Sequence, residues 1–217
     1  MNNITETGFT PADCEAVASG LSSAYSDLIS AIDTQMQSQF FGGMKEKWYT
    51  ANAVKFFDAA AQDVRNRNMD VFTTFKSIND FLNSAANGWV QTTGNPCNPV
   101  SFANDYSSTI ASQAVDSING KAAITSDAGE YAKRVVGEIS GTATNALTKA
   151  INVINSHPNA FLGEGQMQSF ADSMERIKTN IQNSFERIDD VIAEAVRGNE
   201  SAAVEFASSV AAAASGN

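Results

Sequence analysis

The stretch FGGMKEKWYTANAVKFFDAAAQDV, from Phe41 to Val64, predicts a turn between two helices. Gly42 and Gly43 end one apolar helical pattern, because glycine is the favoured residue just beyond a helix C-terminus. A second helical pattern starts shortly after Trp48. The tryptophan is therefore expected in the turn of a helical hairpin.

The helical patterns on both sides of this turn are long. Thr10 can cap the first helix and Pro11 suits its first position, and the second helix is predicted from about Thr50 to Gln91. Apolar residues recur every three or four positions: Val17, Leu21, Leu28, Ile32, Met36 and Phe40 in the first helix, and Ala53, Phe57, Ala60, Val64, Val71, Phe75, Ile78, Leu82 and Ala85 in the second. We predict a hairpin over residues 1–95 with its turn near residues 42–50.

The segment TTGNPCNPVS, Thr92 to Ser101, predicts a boundary, because its glycine and two prolines interrupt a helix. Residues 100–217 are predicted to form a second hairpin with its turn near residues 155–165. An extra short helix is predicted over residues 102–119, where Phe102, Tyr106, Ile110, Ala114 and Ile118 are spaced by four. A short final helix is expected from Ser201 to Ala214.

The last long helix carries the most regular apolar repeat of the chain: Phe170, Met174, Ile177, Ile181, Phe185, Ile188, Ile192 and Ala195. No segment of the sequence predicts a strand. The predicted fold class is therefore all-α, with two antiparallel helical hairpins in tandem, packed as an elongated helical bundle.

The overall composition argues against several classes of function. A net charge of −10 disfavours nucleic-acid binding, which needs clustered Lys or Arg. No apolar run approaches the roughly 20 residues of a membrane span, so membrane insertion is not expected. The amino terminus MNNITETGFTPADC has neither a basic nor an apolar signal-peptide region.

Few residues are suited to catalysis or to binding a metal or cofactor. His157 precedes a proline in a predicted turn, and no motif connects it to a cysteine or a serine. Four acidic residues at one-turn spacings predict a solvated acidic face: Glu186, Asp189, Asp190 and Glu194. Gly137 and Gly141 lie in a helical pattern and are expected to allow close helix packing. We predict no catalytic residues, no metal and no cofactor.

Cys14 and Cys97 are the only cysteines, too few for a disulfide framework. One bridge between them is compatible with a hairpin, whose two ends lie together. The second helix is predicted to overshoot the first, so the loop after Gln91 would have to fold back. The sequence leaves a bridge and two free thiols as alternatives.

The stretch WYTANAVKFF resembles the turn signature of the WXG (Esx-like) type VII secretion substrates. Trp48, Thr50, Ala53 and Phe56 follow the order of that family at the start of the second helix, with Thr50 where the family most often has glycine. A looser second copy is predicted at AFLGEGQMQSF, with Phe161, Gly163 and Phe170 in corresponding places. The alternative is that both are ordinary helical hairpins with aromatic-capped turns.

The resemblance implies a secreted, non-enzymatic adaptor or effector that acts through helix–helix interaction with a protein partner, or with itself. Such a protein leaves a Gram-positive-type cell through secretion machinery without a cleaved signal, and is cytoplasmic before export. Members often carry a Tyr-x-x-x-Asp/Glu signal, but Tyr131 is followed by AKRV and no later tyrosine occurs. A partner subunit would then supply it. The main alternative function is a self-assembling structural subunit, phage-borne or filament-forming.

Overall fold

The structure, a computed structural model, describes residues 9–103, 105–161 and 165–215. The elements in chain order are α1 (Pro11–Ile29), a π-helix (Ser30–Phe41), the single turn α2 (Gly42–Met44), β1 (Trp48–Tyr49), α3 (Ala51–Thr93), β2 (Ala123–Ile124), α4 (Ala128–Ser156), a 3-10 turn (Pro158–Ala160), α5 (Gln166–Val196) and α6 (Ser201–Ser215). This helical content confirms the predicted all-α class. The tandem arrangement of two hairpins stays a prediction.

The long helices lie close to their predicted bounds. Pro11 is the first residue of α1, and α3 begins one residue after Thr50. The apolar repeat of α5 is confirmed, since each of its members from Phe170 to Ala195 is buried. Periodic apolar residues predict a helix well because one face of each helix must be removed from water.

Two local features were not predicted. The first helical arm continues beyond Ile29 as a π-helix, in which the wider turns still bury Ile32, Met36 and Phe40. A two-residue antiparallel pair also joins β1 to β2, although no strand was expected. Its members are too short to show an alternating pattern in the sequence.

The predicted helix over residues 102–119 is wrong, because none of the described residues in this range is helical. Side chains of α3 instead hold the start of this segment. The amide group of Asn79 donates to the carbonyl of Val100 at 2.9 Å and accepts from the Phe102 N–H at 3.1 Å. Phe102 and Tyr106 lie against the ring of Phe72, at 5.9 and 5.8 Å between centroids. The four-residue spacing thus belongs to an irregular segment that packs against α3.

Two compact units are present, each assembled from three parts of the chain. Unit 1 comprises residues 1–28, 70–106 and 144–179, and unit 2 comprises residues 29–69, 107–143 and 180–217. Each unit draws on both predicted hairpins, so neither coincides with the domains predicted at residues 1–95 and 100–217. That division stays a prediction.

Unit 1 contains residues 11–28 of α1, 70–93 of α3, 144–156 of α4 and 166–179 of α5, and each of these segments carries buried apolar side chains. Helices α1 and α4 approach closely at Gly20, where an added Cβ would lie 2.7 Å from Cγ1 of Val153. The Asp27 carboxylate and the Lys149 ammonium make an ion pair at 2.7 Å along the same contact. The absence of a side chain at Gly20 therefore allows α1 and α4 to pack this closely.

Gly137 and Gly141 do not have the role predicted for them. Both are exposed on α4, and a Cβ built at either position meets nothing within 4 Å. Both glycines therefore lie on the solvent-exposed face of α4 and do not bring another helix close. None of the helices among the described residues combines the length and the apolar character that crossing a membrane requires.

Candidate functional site

Trp48 belongs to an aromatic cluster in unit 2. Its side chain is fully buried. Its ring stacks on Phe56 at 5.3 Å and meets the edge of Phe57 at 5.5 Å. Further rings extend the cluster: Phe40, Phe41 and Phe206. Aromatic pairs in tilted and stacked geometries stabilise beyond the area they bury, so this cluster fixes the connection that leads into α3.

Phe206 brings α6 into the same cluster. Its ring centre lies 5.1 Å from that of Phe56, and the Arg187 guanidinium carbon lies 4.7 Å from the centre of the Phe206 ring. Arg187 also donates a hydrogen bond to Ser209 one turn further along α6. The final helix of the described chain is thereby held against the start of α3.

Thr50 is the polar centre of the site. Its Oγ1 accepts a hydrogen bond from the indole Nε1 of Trp48 and another from the backbone N–H of Ala53, both at 3.1 Å. The same hydroxyl donates to Oε2 of Glu200 at 2.8 Å. A hydroxyl has one proton and two lone pairs, so every hydrogen-bonding position of Thr50 is used.

These bonds explain why a threonine stands at this position. The bond from the Ala53 N–H makes Thr50 the N-cap of α3, a position that favours Ser, Thr, Asp and Asn. Glycine would leave the helix start uncapped by a side chain and the buried indole N–H without this acceptor. The residue that departs from the family signature therefore has a structural role here.

The short strand pair holds the backbone of Trp48. Trp48 pairs with Ile124, and Tyr49 pairs with Ala123. Next to the pair, the N–H of Thr125 donates to the carbonyl of Lys47 at 2.7 Å. The connection is consequently fixed on its main chain as well as through its indole ring.

Tyr131 of α4 contacts the other side of the connection. Its hydroxyl donates to the carbonyl of Gln39 at 2.6 Å, and Lys47 Nζ lies 5.0 Å from the centre of its ring. A Cβ added at Gly43 would lie 1.9 Å from the same hydroxyl oxygen. Gly43 thus leaves space for Tyr131. The expected helix end at Gly42 and Gly43 is wrong, because the helical arm continues through α2 to Met44.

Lys47 has a second partner in the carboxylate of Asp127, at 2.6 Å. Asp127 also accepts from the Thr125 hydroxyl at 2.7 Å. Hydrogen bonds from Lys47 and then Thr125 lower the pKa of Asp127 below its ordinary value. Because Asp127 directly precedes α4, its negative charge also suits the start of that helix.

Phe161 and Phe170 of the predicted second copy belong to unit 1. Phe161 and Phe170 both meet the edge of Phe81, at centroid distances of 4.8 and 5.2 Å. Phe170 is buried and Phe161 is half-buried. Gly163 lies outside the described residues. The structure therefore brings Phe161 and Phe170 together, and it places Trp48, Thr50, Ala53 and Phe56 together in unit 2.

The histidine and the cysteines have separate partners in the described part of unit 1. His157 Nδ1 lies 2.9 Å from Oδ1 of Asp13. The Cys14 thiol instead donates to the carbonyl of Leu82 at 3.6 Å, and the Cys97 thiol donates to a carbonyl of α1. Burial, above all, raises the pKa of Cys14 to about 12, which keeps this thiol protonated.

The acidic residues of α5 do not assemble a metal site with other ligands in the residues that the structure describes. Within those ranges, no group of three or more His, Cys, Asp or Glu side chains has the arrangement to hold an ion. Glu194 pairs with Arg197 at 2.7 Å, and Glu186 and Asp190 are exposed. This arrangement is typical of a solvated helix face.

Comparisons with protein-family models, with curated proteins and with solved structures found no match to this chain. The resemblance to the WXG proteins therefore depends on the order of residue types from Trp48 to Phe56 in the sequence. Glu200 and Phe206 are among the contributors to the site that were not found from sequence. Phe206 did have one signal, because it is a single aromatic residue in an alanine-rich helix.

Proposed function

We propose that the chain is a secreted, non-enzymatic helical protein, similar to the WXG type VII secretion substrates, that acts through helix–helix interaction with a protein partner. The observation that carries this proposal is the placement of Trp48. It lies in the connection between the helical arm that ends at Met44 and the long helix α3, stacked on Phe56. The family resemblance implies a tryptophan in this place.

The geometry separates the motif from the surface that a partner would contact. Trp48, Ala53 and Phe56 have no exposed surface, and Thr50 uses its hydroxyl entirely within the chain. The motif would thus hold the helices in position. A partner would meet side chains on the solvent faces of the helices.

Export is tested by expressing the tagged chain in a Gram-positive host that has a type VII system, with and without its membrane-bound secretion ATPase. We expect the protein in the medium only when the ATPase is present, with a cytoplasmic marker retained in the cells in both strains. Because the resemblance leaves the Tyr-x-x-x-Asp/Glu signal to a partner, the gene neighbours are co-expressed. Equal amounts in the medium of both strains would contradict the proposal.

The two tryptophans supply matched variants for this experiment. Trp48→Phe keeps an aromatic ring in the cluster and removes the residue that marks the family signature, whereas Trp89→Phe leaves the signature intact. We expect Trp48→Phe to reduce export more than Trp89→Phe does. Circular dichroism of both purified variants checks that each is folded, so that a loss of export is not a loss of structure.

The self-assembling structural subunit is distinguished by its mass in solution. A secreted adaptor is expected to give a monomer or a closed oligomer whose mass does not grow with concentration. A filament-forming subunit gives species that grow with concentration, since a heterologous contact that does not close continues indefinitely. Size-exclusion chromatography with light scattering over a hundredfold concentration range measures this difference.

A further inference from the structure

Cys14 and Cys97 lie side by side in unit 1, although they are far apart in the sequence. The Cys14 side chain is fully buried and that of Cys97 is 6% exposed. The Cys97 thiol donates to the carbonyl of Pro11 at 3.8 Å. Because Pro11 lies one helical turn before Cys14 on α1, this contact places Cys97 beside the Cys14 side chain. Both thiols are free in this structure.

The two thiols also affect each other electrostatically. Burial is the largest cause of the raised pKa of Cys14, followed by the neighbouring Cys97 thiol. Burial and the Glu15 carboxylate raise the pKa of Cys97, while a hydrogen bond with Cys14 opposes that rise. The two thiols are therefore close enough to affect each other's pKa, and both are protonated near neutral pH.

The chain around Cys97 is held in place without being part of a helix or strand. The Asn98 N–H donates to the Glu15 carboxylate at 2.6 Å, and Asn79 donates to the carbonyl of Val100 at 2.9 Å. These two bonds fold the segment after Thr93 back against α1 and α3. A segment with this irregular backbone can move slightly without breaking a helix.

We propose that Cys14 and Cys97 form an intramolecular disulfide when the protein meets a small-molecule disulfide such as oxidised glutathione. Cys97, as its thiolate, attacks one sulfur of the small disulfide, whose S–S bond breaks to release one small thiolate. Cys14 then loses its proton and attacks the Cys97 sulfur, and the second small thiolate leaves. Two protein thiols are oxidised, one small disulfide is reduced, and the two protons go to the two small thiols.

Cys97 is the residue that reacts first. It is the more exposed of the two thiols, and it lies in a segment that is neither helix nor strand. Because the Cys14 side chain is fully buried, its thiol can react only with the neighbouring Cys97 sulfur. Both thiolates are scarce near neutral pH, so oxidation is expected over hours rather than seconds.

The bond would close a loop of roughly 80 residues, and a long closed loop restricts the unfolded chain strongly. Oxidation should therefore stabilise the folded protein. This inference does not depend on the proposed function, because it needs only the chain and an oxidant. The export experiment and the thiol experiment can fail separately.

The test equilibrates the full chain, purified with reductant, in glutathione buffers of increasing oxidised fraction. Samples are acid-quenched, unfolded and alkylated before intact-mass measurement. We expect a monomer lighter by about 2 Da that takes up no alkylating reagent, and a linked peptide pair containing Cys14 and Cys97. Its melting temperature should exceed that of the reduced protein by about 5–15 °C and return on reduction.

Cys97→Ser is the control variant, because position 97 is the less buried and lies outside the helices. It should keep one alkylatable thiol and show no dependence of its melting temperature on the glutathione ratio. The proposal is overturned if the wild type keeps two alkylatable thiols at excess oxidised glutathione. It is overturned equally if a glutathione adduct or a disulfide-linked dimer is the final product.

Discussion

The indole N–H of Trp48 donates a hydrogen bond to the hydroxyl of Thr50 at 3.1 Å, two residues along the chain and at the start of α3. The same hydroxyl caps the helix through Ala53 and reaches Glu200 before α6. One side-chain oxygen thus joins the buried aromatic ring, the first turn of a long helix and the last helix of the described chain. Its removal should affect all three.

Replacing Thr50 by valine tests this arrangement. Valine keeps the shape of threonine but leaves the Trp48 N–H and the helix start without the acceptor, which should cost about 1–3 kcal/mol of stability. Urea unfolding followed by circular dichroism measures it. Thr50→Ser retains the oxygen and should lose markedly less. If valine and serine give equal stabilities, the hydroxyl does not have the role described.

Truncating Trp48 to alanine should destabilise the protein by about 3–5 kcal/mol, because a fully buried ring leaves a cavity among Phe56 and Phe57. The measurement is again urea unfolding. Trp89→Ala, at a partly exposed position, should lose less. Unchanged stability of Trp48→Ala together with loss of partner binding would instead assign Trp48 to an interface.

Gly43→Ala should be destabilising, since the new Cβ would lie 1.9 Å from the Tyr131 hydroxyl and displace it from the Gln39 carbonyl. Gly137→Ala is the matched control, because it is the same substitution at another helical glycine. Its Cβ meets no atom, so it should stabilise α4 by about 0.5–1 kcal/mol through helix propensity. Thermal melting of the two variants should therefore shift in opposite directions, and shifts of the same sign would contradict the predicted contact.

Ile181→Asp places a charge at a buried position of the regular α5 repeat, where Ile181 is 2% exposed. We expect a loss above about 4 kcal/mol, or failure to fold, because a buried unpaired carboxylate is strongly disfavoured. Asn183→Asp adds the same charge at an exposed position of the same helix and should change stability little. An unaltered melting curve for Ile181→Asp would refute the assignment of this face to the core.

The lowered pKa of Asp127 predicts that part of the protein's stability is lost in acid. Its pKa is lowered in the folded protein by Lys47 and Thr125, so its contribution is present above the ordinary carboxylate range and is lost as the pH falls through the folded pKa. The melting temperature of Asp127→Asn should fall below that of the wild type near pH 7. The two should converge in strong acid. Because the ion pair is largely exposed, high salt should shrink the difference at pH 7 as well.

The sequence identified the helices whose apolar faces repeat over many turns. Pro11 at the start of α1 and the buried repeat of α5 are two examples, and each is a local signal that neighbouring residues reinforce. The segment with Phe102 and Tyr106 shows the limit of such patterns. Its spacing of four is typical of a helix face, yet the segment is irregular and is held by contacts with the Phe72 ring.

The candidate site was predictable only in its local part. Trp48, Thr50, Ala53 and Phe56 are close in sequence, and the order of residue types marks them. Glu200 bonds to Thr50 from 150 positions away, and no pattern near either residue indicates that contact. Partners of this kind are set by how helices are arranged in three dimensions, which periodicity does not determine.

The chain contains two tryptophans, and each compact unit holds one of them. Trp48 is enclosed by phenylalanine rings in unit 2, whereas Trp89 is partly exposed near Phe9 in unit 1. The wavelength of indole emission depends on the polarity around the ring. We therefore expect buried Trp48 to emit at a shorter wavelength than partly exposed Trp89 in the native protein. With one tryptophan replaced by phenylalanine, the other becomes a built-in optical reporter of the melting of its own unit, without any attached label.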